Sequence, residues 1–378
     1  MIRHIGKSVA NFLSAVSMAL PVSVLATQAL AATSDAGQRT LNIYNWSDYI
    51  AKDTIANFEK ETGIKVNYDV FDSNEVLEAK LLSGQSAYDI VAPSADFLLH
   101  QIKAGVYQPL DKSKLPNWKH LDDELMTLAT NYDPGNQFSF PYLWGTTGIG
   151  YNPKQVQEVL GEDAPVDSWS LLFDEKYISK LNKCGVAFLN APTEVIPAAL
   201  NYLGLDPSST RREDYAKAEA LLMKVRPYVT YFHSSRSISD LANGDICVAM
   251  GWSGDLLQAA ERAKEANNGV TIKYSIPNEG AGLWFDMVAI PKDAKNTEEA
   301  HIFLNYLLRP DVIANISNYV AYANPNKSAT ELVDAKIRDN PGIYPTEETR
   351  QRLFVFKTLP PRVNRQVNRL FTKLTSGQ

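Results

Sequence analysis

From residue 40 onward the chain alternates short apolar runs with segments of helical periodicity, and that alternation restricts the folds open to it more than any other feature. Leu41-Asn42-Ile43-Tyr44 reads as a strand, and Asp53 to Thr62 as a helix with Ile55 and Phe58 inward, ended by Gly63. Lys65 to Phe71 alternates as a second strand, Asn74 to Leu82 is helical, and Tyr88-Asp89-Ile90-Val91-Ala92 is a third strand before Pro93. A βαβαβ series builds a mainly parallel sheet covered by helices, an α/β fold. The series resumes with a strand around Val186, helices over Glu194–Leu203 and Arg212–Lys224, a strand around Val248 and a helix over Asp255–Ala266. Between the two series, Pro141 to Tyr151 carries three glycines among aromatic and β-branched residues and reads as an extended crossover. Val270 to Ile276 reads as a strand returning to the first series, with Trp284 to Ile290 beside it. About 350 residues exceed one ordinary core, so two lobes are expected.

The first residues carry Arg3, His4 and Lys7, then a mostly apolar stretch from Val9 to Leu25, then Ala29-Leu30-Ala31. That is the form of a secretory signal peptide spanning 1–31, cleaved near Ala31. Its removal takes Arg3 and Lys7 from 37 basic residues and none from 43 acidic ones, leaving 35 against 43, a net charge of −8. Such acidity disfavours nucleic acid and favours cationic ligands. The basic carboxy-terminal stretch, from Arg350 to Lys373, reads as a solvated helix face. Cys184 and Cys247 are the only cysteines. In an oxidising compartment a disulfide is the expectation, with two buried thiols as the alternative.

Three times an indole stands just ahead of a carboxylate: Trp46-Ser47-Asp48, Trp252-Ser253-Gly254-Asp255 and Trp284-Phe285-Asp286. Aromatic faces attract cations and cover methylenes, and carboxylates accept charged hydrogen bonds, so the combination suits a diamine or polyamine. Asp48 and Asp255 follow strands, where ligands bind in open α/β sheets, although an Asp there is often only a helix cap. Asp286 lies inside an apolar strand, on one face with Trp284, and a buried carboxylate there needs a partner. A structural ion pair with an arginine is the plainer reading. Glu194, after Pro192, is a candidate or simply a first-turn acid, and Ser94 a candidate or a cap.

Enzyme readings fare badly. Gly251-Trp252-Ser253-Gly254-Asp255 begins like a nucleophile elbow but ends in Asp, so a secreted serine hydrolase using Ser253 is a weak alternative. His100, His120, His233 and His301 lack zinc-ligand spacing, and there is no P-loop or dinucleotide fingerprint; no cofactor is expected.

Asn45-Trp46-Ser47-Asp48-Tyr49, Tyr88-Asp89-Ile90-Val91-Ala92-Pro93-Ser94, Gly251-Trp252-Ser253-Gly254-Asp255, Trp284-Phe285-Asp286 and Asn340-Pro341-Gly342-Ile343-Tyr344-Pro345 resemble the periplasmic polyamine-binding receptors of bacterial ABC importers, the putrescine-binding members above all. The resemblance implies a type II periplasmic binding protein fold: two hinge-linked α/β lobes closing over one polyamine. The lobes would comprise 32–142 with a return segment 269–320, and 143–268, with the helical segment 321–378 packing mainly on the second. It also implies a monomer that delivers putrescine, or spermidine or cadaverine, to an inner-membrane permease; a polyamine sensor is the alternative within the same fold. Matching positions imply a ligand set of Trp46, Ser47, Asp48, Tyr49, Ser94, Glu194, Trp252, Asp255, Trp284, Asp286 and Tyr322, and a disulfide between Cys184 and Cys247. Several relatives have Phe where Trp284 stands. Ser47-Asp48 follows the putrescine-type pattern, where spermidine-selective relatives often carry Thr-Glu.

Overall fold

The computed structural model describes residues 38–377; the expected signal peptide lies outside them. Ten strands form one mixed sheet: β1 Thr40–Trp46, β2 Lys65–Phe71, β3 Ile90–Val91, β4 Ser139–Tyr151, β5 Val186–Phe188, β6 Tyr231–Phe232, β7 Val248–Trp252, β8 Lys273–Ser275, β9 Gly282–Ala289 and β10 Phe354–Val355. Their order is β2-β1-β3-β9-β4-β7-β5-β6, with β10 beside β9 and β8 beside β4. β1 pairs in parallel with β2 and β3, and β5 with β6 and β7, as the two βαβ series require.

β4 joins the two series. Its first part, Ser139–Thr146, runs antiparallel to β9, and Thr147–Tyr151 runs antiparallel to β7. All thirteen of its residues are buried, which matches the crossover read from the sequence. Gly145 has a specific task there: a Cβ would stand 2.7 Å from the Trp284 ring and 2.8 Å from Ser253 Oγ, so only glycine admits both.

β8 departs from expectation. It pairs with Ile149–Tyr151 of β4, not with β9, because β4 is long enough to take β8 on its second part and β9 on its first. A smaller apolar core gathers Ile238, Leu241, Ile246 and Leu256, and the two largest flank the crossing. One gathers Leu41, Phe58, Leu143, Phe285, Ile316 and neighbours, and reaches Tyr322 and Ile343. The other gathers Trp169, Phe188, Val195, Leu222 and Val248. Residues 321–343 thus pack with the first core, whereas helix Pro361–Ser376 buries Val363, Val367, Leu370, Phe371 and Leu374 in the second. Its arginines fall on the opposite, solvated side, where Arg362, Arg365 and Arg369 line an open groove with Arg212.

Local chemistry sets the helix ends. Thr54–Thr62 stops at Gly63, which takes a left-handed φ of 70° and donates its amide to Glu59 O. Asn74–Leu82 starts behind Ser73, whose hydroxyl accepts from the Val76 amide. A disulfide ties Cys184, beyond helix Glu175–Leu181, to Cys247 at the head of β7, with the Cα atoms 5.4 Å apart.

Candidate functional site

A cleft holding about 630 Å³ of non-atom space opens where the carboxyl ends of β1, β3 and β7 converge, the position at which α/β sheets bind ligands. Trp46 ends β1 and Trp252 ends β7; their rings meet edge to face, with centroids 5.6 Å apart. Trp46 is fixed by its indole N–H, which donates to Ala92 O at 2.8 Å. Trp284, on β9, packs edge-on against Tyr322 at 5.3 Å, and its own indole N–H is buried without a partner. Tyr49 stacks edgewise on Tyr322 at 5.1 Å, and its hydroxyl too is buried with no hydrogen bond. These rings wall the cleft on several sides.

Asp286, Asp255 and Glu194 are three of the five acids that line the same space, with Asp72 and Glu75. Asp286 lies beside Trp284 on one face of β9, as a two-residue period dictates, and accepts from Ser94 Oγ at 2.6 Å. Ser94 is itself held by Asn74 through two 3.0 Å bonds. Asp255 sits in the first turn of helix Ser253–Ala266 and accepts from the Tyr322 hydroxyl at 2.9 Å, while its amide donates to the same oxygen at 3.1 Å. Gly254 makes this possible, since any Cβ there would collide with the Tyr322 ring. Glu194, in the first turn of helix Pro192–Tyr202, accepts from Thr147 Oγ1 at 2.7 Å and from the Trp252 indole N–H at 3.3 Å.

None of the three is paired with a base. No Lys, Arg or His lines the cleft, and among the described residues none forms an ion pair with these acids. Burial therefore pushes the Glu194 carboxyl up to about 8 and the Asp255 and Asp286 carboxyls up to about 7, despite the hydroxyl and indole donors that pull the other way. A chain that buries two acids, half-buries a third and gives them hydroxyl and indole donors but no cation leaves the compensating charge to be supplied from outside.

Asp48 is placed elsewhere. It is more than a third exposed, with a left-handed φ of 54°, and its carboxylate forms an ion pair with Arg262 at 2.6 Å instead of facing the cleft. The turn at Asp48 directs the side chain away from the cleft lining and toward Arg262, and Gln258 donates to Asp48 O at 3.3 Å. Ser47 does line the cleft, its hydroxyl donating to Phe71 O at 3.3 Å. Sequence reading missed the segment Phe71–Glu75, which borders the cleft where β2 ends and helix Asn74–Leu82 begins. The run Asp72-Ser73-Asn74-Glu75 at a strand's carboxyl end was the available signal. Glu75 is partly buried and its pKa is raised, first by burial. Ser253 is buried, and its hydroxyl accepts from the Thr146 amide at 3.4 Å, the posture of a helix-start residue.

One mixed sheet whose strand β4 joins two βαβ series, the apolar cores on either side of it and an acidic, ring-walled cleft at the strand ends define a type II periplasmic binding protein. The family description "bacterial extracellular solute-binding protein" matches residues 53–346, and the chain belongs to that family. It is similar to the putrescine-binding periplasmic protein PotF of Escherichia coli strain K12, with 60% identity over 347 residues, 92% of this chain and 94% of that one. It is similar also to the putrescine-binding periplasmic protein SpuD of Pseudomonas aeruginosa strain UCBPP-PA14, with 58% identity over 343 residues, 91% of this chain and 94% of that one. Among solved structures, a putative spermidine/putrescine ABC transporter from Listeria monocytogenes matches with a TM-score of 0.80 at 36% identity, covering 90% of this chain and all of its own.

Proposed function

We propose that this protein is a periplasmic receptor that captures a polyamine, putrescine first, in the cleft and delivers it to an ABC importer; it is a binding protein, not an enzyme. The observation that carries the reading is the trio of Asp255 and Asp286, buried, and Glu194, half-buried, unpaired with any base and facing a space walled by Trp46, Trp252, Trp284 and Tyr322. The likeness to PotF and SpuD supports it, as do the family and the fold. Tyr49, Ser94 and Ser47 complete the proposed contact set, and Asp48 with Arg262 holds the rim. An ammonium at Asp286 has the free Tyr49 hydroxyl beside it as a further acceptor.

Burying the four methylenes of a diamine stabilises by roughly 3 kcal/mol, and each cation–π contact adds about 0.5–2 kcal/mol. After the cost of immobilising a flexible ligand, about micromolar affinity or tighter follows. In this reading the chain is exported behind a signal peptide cleaved near Ala31 and acts as a monomer. Two lobes, 32–142 with 269–320 and 143–268, close on the amine and dock on an inner-membrane permease. Calorimetry of the mature chain with putrescine, cadaverine, spermidine and spermine tests this; heat with none of them refutes it.

A further inference from the structure

Helices Arg212–Val225 and Pro361–Ser376 pack together over the second core, and between them runs a solvent-open groove with about 1360 Å³ of non-atom space. Helix Pro361–Ser376 turns its apolar side inward, which sets Arg362, Arg365, Arg369 and Lys373 outward at spacings of three, four and four residues, one stripe along the helix. From end to end that stripe runs about 16 Å. Arg212 faces it from the first turn of the other helix. No residue that lines this groove lines the amine cleft.

Arginines elsewhere in the chain are engaged. Each described arginine outside the groove donates a side-chain hydrogen bond to a carboxylate, an amide oxygen or a backbone carbonyl, as Arg211 does to Asp214 and Arg226 to Leu374 O. The side chains of Arg212, Arg362, Arg365 and Arg369 donate none and form no ion pair among the described residues, and all four are exposed. Glu219 is the only acid in the lining, and Lys373 takes it at 2.5 Å, so the four guanidiniums are left uncompensated. Two of them stand where helix electrostatics work against a cation. Arg362 lies in a first turn that has no acid, and Arg212 in a first turn whose acids, Glu213 and Asp214, do not line the groove, Asp214 being bound by Arg211. Like charge gathered in this way repels itself, and an anion relieves it.

Guanidiniums pair bidentately with phosphate oxygens. A single phosphate ion reaches one or two of them, whereas a row about 16 Å long matches an anion that repeats. The lining holds no aromatic ring to stack a nucleobase, and its apolar share is Ala216 and Leu370, too little to seat the side chains of an acidic peptide. We propose that this groove docks the protein on an anionic phospholipid surface, with headgroup phosphates held by Arg212, Arg362, Arg365 and Arg369. The chain is acidic as a whole, so such a bilayer repels the rest of its surface, and the groove fixes which side faces the membrane. Docking of this kind needs the groove alone and holds whether or not the cleft takes an amine.

Co-sedimentation of the mature chain with mixed phosphatidylglycerol and phosphatidylcholine vesicles, against vesicles of phosphatidylcholine alone, tests the proposal at about 0.05 M ionic strength, where screening is weak. Binding to the anionic vesicles alone is expected, with release at about 0.5 M salt. The double variants Arg365→Gln/Arg369→Gln and Arg212→Gln/Arg362→Gln should each lose affinity by about tenfold or more. The substituted side chains are exposed, so both variants should melt with the parent chain, and either one suffices for the test. Lys103→Gln/Lys154→Gln removes the same charge from exposed lysines outside the groove and should change binding less than threefold. No binding to the anionic vesicles, an equal loss in the lysine variant, or displacement from the vesicles by inorganic phosphate at matched ionic strength overturns the proposal, the last by marking a site for free phosphate. Putrescine titration reads the amine function separately, and its failure would leave the vesicle result standing.

Discussion

Replacing Asp286 with Asn should raise the stability of the ligand-free protein and abolish most of its affinity, and both magnitudes follow from the site. The Asp286 carboxyl is raised from 3.8 to about 7, chiefly by burial, which corresponds to roughly 4 kcal/mol of penalty on the ionised form. Because the folded-state value lies above the unfolded one, the two states do not differ in protonation below about pH 4. As pH rises from there to 7, the unfolded chain ionises while the folded chain resists, so the native protein loses stability by about 1.4 kcal/mol per pH unit. Asn carries no such penalty and keeps an oxygen for the Ser94 hydroxyl. Water admitted to the empty cleft relieves part of the cost, so a gap of about 2 kcal/mol in favour of the variant is expected at pH 7, vanishing near pH 4. With amine present the balance reverses. An ammonium left facing a neutral amide in a buried site loses about 3–5 kcal/mol, a drop in affinity of roughly a hundredfold to several thousandfold. Thermal melts of both ligand-free proteins from pH 4 to 8, followed by calorimetry with putrescine, read the two effects. A melting gap that does not widen with pH, or putrescine affinity retained within tenfold, would refute the account of Asp286 as an uncompensated buried charge.

Amine binding should be pH-dependent in the same sense. Glu194 at about 8 and Asp255 and Asp286 at about 7 hold protons in the empty cleft, and a bound dication displaces them, so affinity should rise between pH 5.5 and 8 with protons released. Calorimetry in buffers of different ionisation enthalpy checks this, and identical heats across buffers at pH 7 would contradict it. The Cys184–Cys247 bridge spans 63 residues of sequence, for which chain entropy assigns about 4 kcal/mol. The double Ser variant should melt several degrees lower, and an unchanged melting temperature would show that the bridge does not constrain the unfolded chain. Arg262→Ala breaks a partly exposed pair with Asp48 and should cost under about 1 kcal/mol of affinity, read by the same titration. A hundredfold loss would return Asp48 to the ligand set.

How far the sequence revealed this molecule varies with the physics of each element. Strand β2 at Lys65–Phe71 and helix Asn74–Leu82 have the bounds read from periodicity and capping, because both signals are local. Pairing of β8 was misjudged because the choice of neighbour depends on β4 serving two partners along its length, a non-local fact. The site shows the same division. Asp286 was legible because an acid inside an apolar strand violates the strand's own pattern and so demands a partner. Asp48 carried the same local motif, an indole and a carboxylate two residues on, but its left-handed turn sends the side chain to Arg262, and neither the turn nor the arginine 214 positions away is announced nearby. The motif therefore locates where a strand meets the cleft, while the acid's countercharge separates Asp48 from the other acids. In this structure an arginine pairs with Asp48, whereas no base among the described residues pairs with Glu194, Asp255 or Asp286. For Glu194, Asp255 and Asp286 the fold supplies hydroxyl and indole donors that can orient a carboxylate but not neutralise it, and this makes the cleft a cation receptor instead of an ion-pair network.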